Sequence, residues 1–328
     1  MAEIFHGGGL DAARAQYGGS LADWLDLSTG INPSPYPLPK LDSSLYHRLP
    51  DKGLEGVLLE AAHHYYDVPE GMEVIASSGT QALLQILPTL LGAAGVEIAS
   101  PTYGEHANAW AKAGADVNEI SSFSEEQMPN HAAVVVNPNN PTTQVRTGRE
   151  LAELAGRRQW LVVDEAFCDP NPQQSILQHV RDHNNIVVLK SFGKFFGLAG
   201  LRLGFAVCNA ELARDIRSRL GPWAVSGPAL SIANTALRDT DWITSTRQEL
   251  HDKSEAQAAV LETAGLKVEG KNPLFIYTKS HASEIIRKGL ARQNILVRHF
   301  PEQSGFLRFG LCSGEAELQR LSEALNNV

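Results

Sequence analysis

Cysteine is scarce in this sequence. The chain of 328 residues contains three cysteines, Cys168, Cys208 and Cys312, which lie far apart and form no C-x-x-C pair. This number and spacing exclude a disulfide framework and a cysteine zinc site, and they are typical of reduced thiols that fill a hydrophobic core. We therefore expect an intracellular protein whose cysteines bind no metal ion.

Basic charge and long apolar runs are also missing. The formal net charge is −9 and the sequence pI is near 5.7, which disfavours nucleic acid or an anionic membrane as the main partner. The most apolar stretch, residues 82–99, is interrupted by Gln85, Pro88 and Glu97 and is too broken to span a bilayer. Residues 1–6 lack the basic and apolar regions of a secretion signal. These absences predict a cytoplasmic protein without a nucleic-acid or membrane partner.

The chain does contain a changing pattern of glycine, proline and β-branched residues. Residues 1–44 are rich in Gly and Pro and predict an N-terminal arm. Residues 45–219 alternate short β-branched runs with helical segments, which predicts a large α/β domain with a mostly parallel sheet covered by helices. Residues 220–328 are typical of a smaller α+β domain, against which we expect the arm to pack. The apolar runs of the large domain are residues 73–76, 96–99, 132–136, 160–163, 186–189 and 203–207.

Polar or glycine-rich segments follow almost every apolar run of the large domain. In open α/β sheets ligands bind beyond the carboxyl ends of the strands, so these segments are predicted to converge on one site. The segments are Ser77-Ser-Gly-Thr-Gln81, Ser100-Pro-Thr-Tyr103, Asn137-Pro-Asn-Asn-Pro141, Asp164-Glu-Ala-Phe167 and Lys190-Ser-Phe-Gly-Lys194.

The first of these segments predicts a phosphate site. Gly79, Thr80 and Gln81 follow a strand and open a helix, so free backbone N–H groups and the positive end of the helix point at an anion. An ordinary capped helix start would explain the same residues. The sequence has no G-x-x-x-x-G-K-[ST] motif, and its glycines 193, 197, 200 and 204 do not form G-x-G-x-x-G, which disfavours a nucleotide-binding loop.

Two charged side chains predict the chemistry at the other strand ends. Asp164 ends an apolar run, where a carboxylate needs a cationic partner such as a protonated pyridine nitrogen. Lys194 lies among aromatic residues that can desolvate an amine and favour its neutral, nucleophilic form. Ser191 and Arg202 would add donors to a phosphate. The alternatives are a helix cap or metal ligand for Asp164 and a surface position for Lys194. No cluster of metal-binding residues surrounds Asp164, so we expect no metal. The aromatic residues are Phe192, Phe195 and Phe196.

Taken together, these motifs resemble the fold-type I pyridoxal-phosphate enzymes of the class I/II aminotransferase superfamily. The resemblance rests on Asn137-Pro-Asn-Asn-Pro-Thr142, Val162-Val-Asp-Glu-Ala166, and Ser-x-x-Lys with Gly-x-x-Gly-Leu-Arg-Leu-Gly over residues 191–204. It implies a seven-stranded sheet in a large domain, and pyridoxal 5'-phosphate held by Lys194 as a Schiff base. It further implies that Asp164 pairs with the ring nitrogen, Tyr103 stacks on the ring and Asn140 bonds the phenolic oxygen. The remaining implied roles are cofactor-phosphate binding by Gly79, Thr80, Gln81, Ser191 and Arg202, and substrate-carboxylate binding by Arg308.

Within the superfamily the chain resembles the histidinol-phosphate aminotransferase branch and, more closely, the threonine-phosphate decarboxylases of cobalamin synthesis. The closer resemblance rests on His6-Gly-Gly8, on Leu27-Ser-Thr-Gly-Ile-Asn-Pro33, on Phe167 in place of a tyrosine, and on Ile295-Leu-Val-Arg298. It implies a small phosphorylated amino-acid substrate bound by His6, Gly7, Gly8, Asn32, Arg298 and Arg308. A disordered terminus and a surface arginine would explain the arm and Arg298 equally well.

Three functions stay open at this stage. The first is decarboxylation of L-threonine O-3-phosphate to (R)-1-aminopropan-2-yl phosphate, the second is a histidinol-phosphate-type transamination, and the third is a non-catalytic regulatory module. The family also implies a homodimer in which the tyrosine of an Arg-Tyr-Pro segment reaches the partner's cofactor phosphate. Here the segment is Arg48-Leu-Pro50, so the hydroxyl of that contact is missing.

Overall fold

The computed structural model describes residues 6–180 and 183–328, which divide into two compact units. The central unit comprises Tyr36–Asn140 and Gln144–Ile243. The terminal unit comprises the described part of Met1–Pro35, together with Pro141–Thr143 and Thr244–Val328. Within the described residues, no helix is both long and apolar enough to cross a membrane.

The strands and helices are numbered in chain order. The strands are β1 (Leu25–Leu27), β2 (Met72–Ser77), β3 (Gly95–Ala99), β4 (Asp116–Ile120), β5 (Met128–Val136), β6 (Arg158–Asp164), β7 (Ile186–Ser191), β8 (Gly204–Asn209), β9 (Lys267–Asn272), β10 (Phe275–Lys279), β11 (Ile295–His299) and β12 (Phe306–Gly310). The helices are α1 (Leu10–Tyr17), α2 (Ser44–His47), α3 (Lys52–Tyr65), α4 (Thr80–Leu91), α5 (Glu105–Lys112), α6 (Gly148–Ala155), α7 (Phe192–Phe195), α8 (Ala210–Leu220), α9 (Gly227–Arg238), α10 (Thr240–Thr263), α11 (Ser283–Arg292) and α12 (Glu315–Asn326).

The central unit is built on a seven-stranded sheet in the order β2-β8-β7-β6-β5-β3-β4. Strand β8 pairs antiparallel with β2 and β7, and the other pairings are parallel. All six predicted runs form strands, because β-branched residues buried on both faces favour a covered parallel sheet. Strand β4 was not predicted. Its polar residues lie at the sheet edge, where one side of the backbone stays unpaired and an apolar run is not required.

The terminal unit contains a five-stranded sheet in the order β1-β11-β12-β10-β9. Strand β1, near the N-terminus, pairs parallel with β11, so Leu25 lies opposite Ile295 and Leu27 opposite Val297. Leu27, Ile295 and Val297 are buried. Residues close to the N-terminus are thus part of a sheet formed mainly by the last third of the chain.

The division along the chain differs from the expected boundaries at residues 44 and 219. The boundary nearest residue 44 falls at Pro35/Tyr36, and the boundary nearest residue 219 falls inside α10, at Ile243/Thr244. The short segment Pro141–Thr143 also belongs to the terminal unit. The second difference has a packing cause, because α9 buries Ala229, Leu230 and Ala233 in the central unit. At the end of α9, the Arg238 guanidinium bonds the Glu60 carboxylate of α3 at 3.1 Å. Composition alone does not show on which unit an amphipathic helix packs.

Candidate active site

The polar segments predicted at the strand ends converge on one cavity of the central unit. Its volume is about 160 Å³. All nine predicted cofactor residues line it, together with six residues that were not assigned to the site. The lining residues are Gly79, Thr80, Gln81, Tyr103, Val136, Asn140, Asp164, Ala166, Phe167, Ser191, Gly193, Lys194, Ala199, Arg202 and Leu203.

One end of the cavity is an anion cradle formed by the start of α4. Gly79 is the N-cap of this helix, and its φ of 79° and ψ of 160° are favourable only for glycine. No side chain caps the helix, so its first N–H groups are donors for an anion. A Cβ atom on Gly79 would lie 2.8 Å from Nη2 of Arg202. The absence of that atom allows the guanidinium to lie directly against the helix start.

Arg202 reaches the cradle from an unusual backbone conformation. Its φ of 53° and ψ of 61° are left-handed, and its Nη1 donates to the carbonyl oxygen of Ala199 at 3.3 Å. A non-glycine residue in this region carries a backbone cost of about 1 kcal/mol or more. The turn therefore accepts a strained residue and directs a cation at the start of α4.

Asp164 ends β6 in a buried position, with only 4% of its surface exposed. Its Oδ2 lies 3.0 Å from Nε2 of His106, and its Oδ1 accepts from the Ala166 N–H at 3.0 Å. The other ring nitrogen of His106 is buried without a hydrogen-bond partner in the described structure. His106 therefore orients the carboxylate toward the cavity, a role that no sequence motif predicted. A signal was available, because His106 lies only three residues after Tyr103, in the first turn of α5.

Tyr103 forms a wall of the cavity above the same helix. Its hydroxyl donates to Oε1 of Gln81 at 3.3 Å, and its ring contacts the His106 ring edge-on. Burial raises the pKa of Tyr103 to about 12, with the carboxylates of Glu105 and Asp164 adding to the shift. The phenol is therefore neutral at physiological pH and offers a flat face rather than a charge.

Lys194 lies in α7, and the aromatic residues around it differ from the expectation. Phe192 stacks on Phe196 at 4.5 Å, and Phe196 stacks on Trp242 at 5.4 Å, so these rings pack in the core of the central unit. The ring of Phe167, at a distance of 5.6 Å, lies beneath Nζ of Lys194 instead. The predicted aromatic cluster anchors the helix, whereas Phe167 faces the amine.

A buried ion pair that the sequence did not reveal lies next to these residues in the chain. Nζ of Lys190 contacts Oε2 of Glu165, and the same carboxylate accepts from Ser175 Oγ at 2.6 Å. Its Oε1 accepts from the Ile176 N–H at 2.7 Å. Both charged groups are buried. Glu165 follows Asp164 at the end of β6, and Lys190 lies four residues before Lys194 at the end of β7. The ion pair between them therefore holds together the two strand ends that position Asp164 and Lys194.

The predicted substrate residues lie in the terminal unit. Arg308 of β12 is buried, and Arg298 of β11 is directly opposite it in the ladder. Burial lowers the pKa of Arg308 to about 9, and the charge of Arg298 adds to this effect. His6, Gly7 and Gly8 are exposed, whereas Asn32 is buried and its Oδ1 accepts from the Ser34 N–H at 2.8 Å. The roles of these residues stay predictions.

Comparison with known proteins extends these observations. The model of the family Aminotransferase class I and II matches residues 23–325. A threonine-phosphate decarboxylase from a Sinorhizobium species is 40% identical, over 99% of this chain and 98% of that protein. A threonine-phosphate decarboxylase from Pseudomonas aeruginosa is 42% identical, over 98% of this chain and 96% of that protein.

Solved structures show the same fold. The histidinol-phosphate aminotransferase from Sinorhizobium meliloti, in complex with pyridoxal-5'-phosphate, aligns with a TM-score of 0.82 over 99% of this chain and 94% of that chain. The sequence identity is 18%, so this likeness concerns the fold alone. It confirms the α/β fold class that the sequence predicted.

Proposed function

Because the chain belongs to the class I and II aminotransferase family, we propose that it is a pyridoxal 5'-phosphate-dependent carboxy-lyase. It converts L-threonine O-3-phosphate into carbon dioxide and (R)-1-aminopropan-2-yl phosphate. The observation that carries the proposal is the 40% and 42% identity to two threonine-phosphate decarboxylases over nearly the whole of each chain. The cavity of the central unit supports it chemically.

The residues of that cavity fit the cofactor. The uncapped start of α4, the close approach of Arg202 to Gly79 and the Ser191 hydroxyl suit a phosphate. The buried carboxylate of Asp164, oriented by His106, suits a protonated ring nitrogen. Tyr103 offers a flat face for the ring, Asn140 an amide for the phenolic oxygen and Lys194 an amine for the aldehyde. Each part of the cofactor thus meets a chemically matched group.

Bound pyridoxal phosphate supplies an aldehyde that takes an amine and an electron-poor ring that accepts the electron pair of the broken bond. Asp164, held in place by His106, would keep the ring nitrogen protonated. Lys194 would hold the cofactor through Nζ, and the same amine would return a proton to the α-carbon of the substrate after carbon dioxide leaves.

The predicted substrate residues offer donors that suit the substrate's anionic groups. Arg298, Arg308, Asn32 and the arm residues 6–8 bind its carboxylate and phosphate. Binding energy at the phosphate, remote from the broken bond, sets the rotamer in which the carboxylate stands out of the plane of the ring. In this way the substrate's phosphate selects decarboxylation.

The cellular setting completes the proposal. The enzyme serves cobalamin biosynthesis in the cytoplasm as a homodimer. Leu49, whose side chain is exposed, lacks the hydroxyl that the family resemblance implies for the partner's phosphate site, so this one contact between subunits would be missing. Analytical ultracentrifugation tests the dimer, with twice the 35.6 kDa chain mass expected.

The reaction is tested with purified holoenzyme and L-threonine O-3-phosphate in the absence of any keto acid. Release of carbon dioxide together with a phosphorylated amino alcohol is expected. No release, combined with 2-oxoglutarate-dependent turnover of histidinol phosphate, would replace the decarboxylase by an aminotransferase.

The cofactor assignment is tested separately by Lys194→Ala. This variant is expected to lose both the absorption band of the lysine-bound cofactor and the activity. Lys112→Ala, at an exposed lysine in the last turn of α5, is the matched control and retains both. Retention of the band and activity in Lys194→Ala would refute the assignment.

A further inference from the structure

The glycine-rich arm of the terminal unit is fastened to one serine. The Gly8 N–H donates to Oγ of Ser28 at 2.7 Å. A Cβ atom on Gly7 would lie 2.3 Å from the carbonyl oxygen of Ser28, so only glycine allows the arm to approach this closely. Ser28 is buried although the arm is exposed. The arm thus has a defined attachment point on the unit.

The same serine also holds Arg308. Its carbonyl oxygen accepts from Nη2 of Arg308 at 2.8 Å. Arg308 is buried opposite Arg298, and two like charges directly across a ladder repel each other. A guanidinium stays protonated at physiological pH, so the repulsion favours the binding of an anion beside this pair. The hydrogen bond to Ser28 fixes the direction in which this cation is offered.

Asp26 sets the orientation of Ser28. Its Oδ1 accepts from the Ser28 hydroxyl at 2.5 Å and from the Ser28 N–H at 2.9 Å. The single hydroxyl proton is therefore committed to Asp26, and a lone pair of the same oxygen is left for the Gly8 N–H. Asp26 is also the carboxylate that partly offsets the positive charge at Arg308.

We propose that Ser28 is a positioning residue for substrate binding. Its hydroxyl holds the arm and its carbonyl holds Arg308, so that the arm's backbone donors and the guanidinium are presented together to one phosphorylated, carboxylate-bearing substrate. This inference rests on the proposed function, because it assigns a residue to the recognition of that substrate.

The test compares Ser28→Ala with Ser34→Ala in the holoenzyme. Ser34 lies in the same segment, but its hydroxyl donates to Glu249 and accepts from Lys253. Ser28→Ala is expected to raise the KM for L-threonine O-3-phosphate about threefold to tenfold, the worth of one net hydrogen bond. Its kcat and cofactor absorption stay near those of the wild type. Ser34→Ala leaves KM unchanged.

A second readout does not depend on activity. Hydrogen exchange at the Gly8 amide, followed by NMR in protein labelled with 15N-glycine, is expected to accelerate in Ser28→Ala and not in Ser34→Ala. Should Ser28→Ala fail to fold, Asp26→Asn, which removes the charge that orients the hydroxyl, is expected to shift KM and exchange in the same direction.

If folded Ser28→Ala or Asp26→Asn shows no change in KM and no change in hydrogen exchange at Gly8, the proposed role of Ser28 is wrong. A fall in kcat at constant KM would also overturn it, because a positioning role in binding acts on KM. A wild-type enzyme that does not decarboxylate the substrate contradicts the proposed function alone. In that case accelerated Gly8 exchange in Ser28→Ala still supports the attachment of the arm to Ser28.

Discussion

Gly79→Ala tests the phosphate cradle most sharply. The backbone at Gly79, with φ 79° and ψ 160°, costs a side-chain-bearing residue about 1–3 kcal/mol. The added Cβ would lie 2.8 Å from Nη2 and 3.2 Å from Cζ of Arg202, so the guanidinium has to withdraw. Loss of one hydrogen bond to a charged group is worth about 1.5–3 kcal/mol. We therefore expect the Kd for pyridoxal phosphate to rise about 10-fold to 100-fold.

The assay is an absorption titration of apoenzyme with the cofactor. Gly92→Ala is the matched control, because Gly92 ends the same helix in a left-handed conformation, with φ 60° and ψ 25°, and no atom lies within 4 Å of its added Cβ. The control loses backbone stability but keeps its cofactor affinity. A Kd for Gly79→Ala within about twofold of the wild type, where a loss of about 1.5 kcal/mol or more is predicted, would show that the phosphate does not depend on the cradle at Gly79. An equal loss in both variants would do the same.

Three further changes follow from the central unit. His106→Asn removes the ring nitrogen that holds Asp164, so the Kd for pyridoxal phosphate should rise about tenfold. An unchanged Kd in the absorption titration would contradict this role of His106. Lys190→Met leaves the Glu165 carboxylate buried without its cation. Urea denaturation should show a loss of about 3–5 kcal/mol in the free energy of unfolding. The double variant Lys190→Met/Glu165→Leu should recover part of this loss. Burial and the bond to Asp239 raise the pKa of Tyr36 from 10 to about 12. The folded state thus keeps this proton longer than the unfolded state, and stability falls as the pH rises through that window. In Tyr36→Phe the free energy of unfolding should decrease less over this pH range. An equal decrease in the variant and the wild type, measured by urea denaturation, would contradict this.

The sequence predicted the parts of the fold and site that leave a local pattern. Buried β-branched runs identified six strands of the large sheet, and the segments after them proved to share one cavity. Strand β4 could not be predicted, because it lies at an exposed edge of the sheet and its residues are mostly polar. The unit to which α9 belongs could not be predicted either. Its apolar face could pack on either unit, and only the structure shows that it packs against α3.

Long-range contacts within the site could not be predicted. His106 meets Asp164 across 58 residues of chain, and no local motif states which helical turn faces which strand end. The three phenylalanines near Lys194 are buried in the core, and Phe167, which is distant in the sequence, also faces the amine. Proximity in sequence identified the cluster but not the direction of each ring.

A decarboxylase removes carbon dioxide without consuming its cofactor, whereas an aminotransferase converts the cofactor in each half-reaction. The most direct measurement is the number of carbon dioxide molecules released per bound cofactor, with L-threonine O-3-phosphate in excess and no keto acid present. We expect many turnovers and a cofactor that keeps its original absorption. Conversion of a single cofactor equivalent to its amine form, after which the reaction stops without carbon dioxide release, would contradict it.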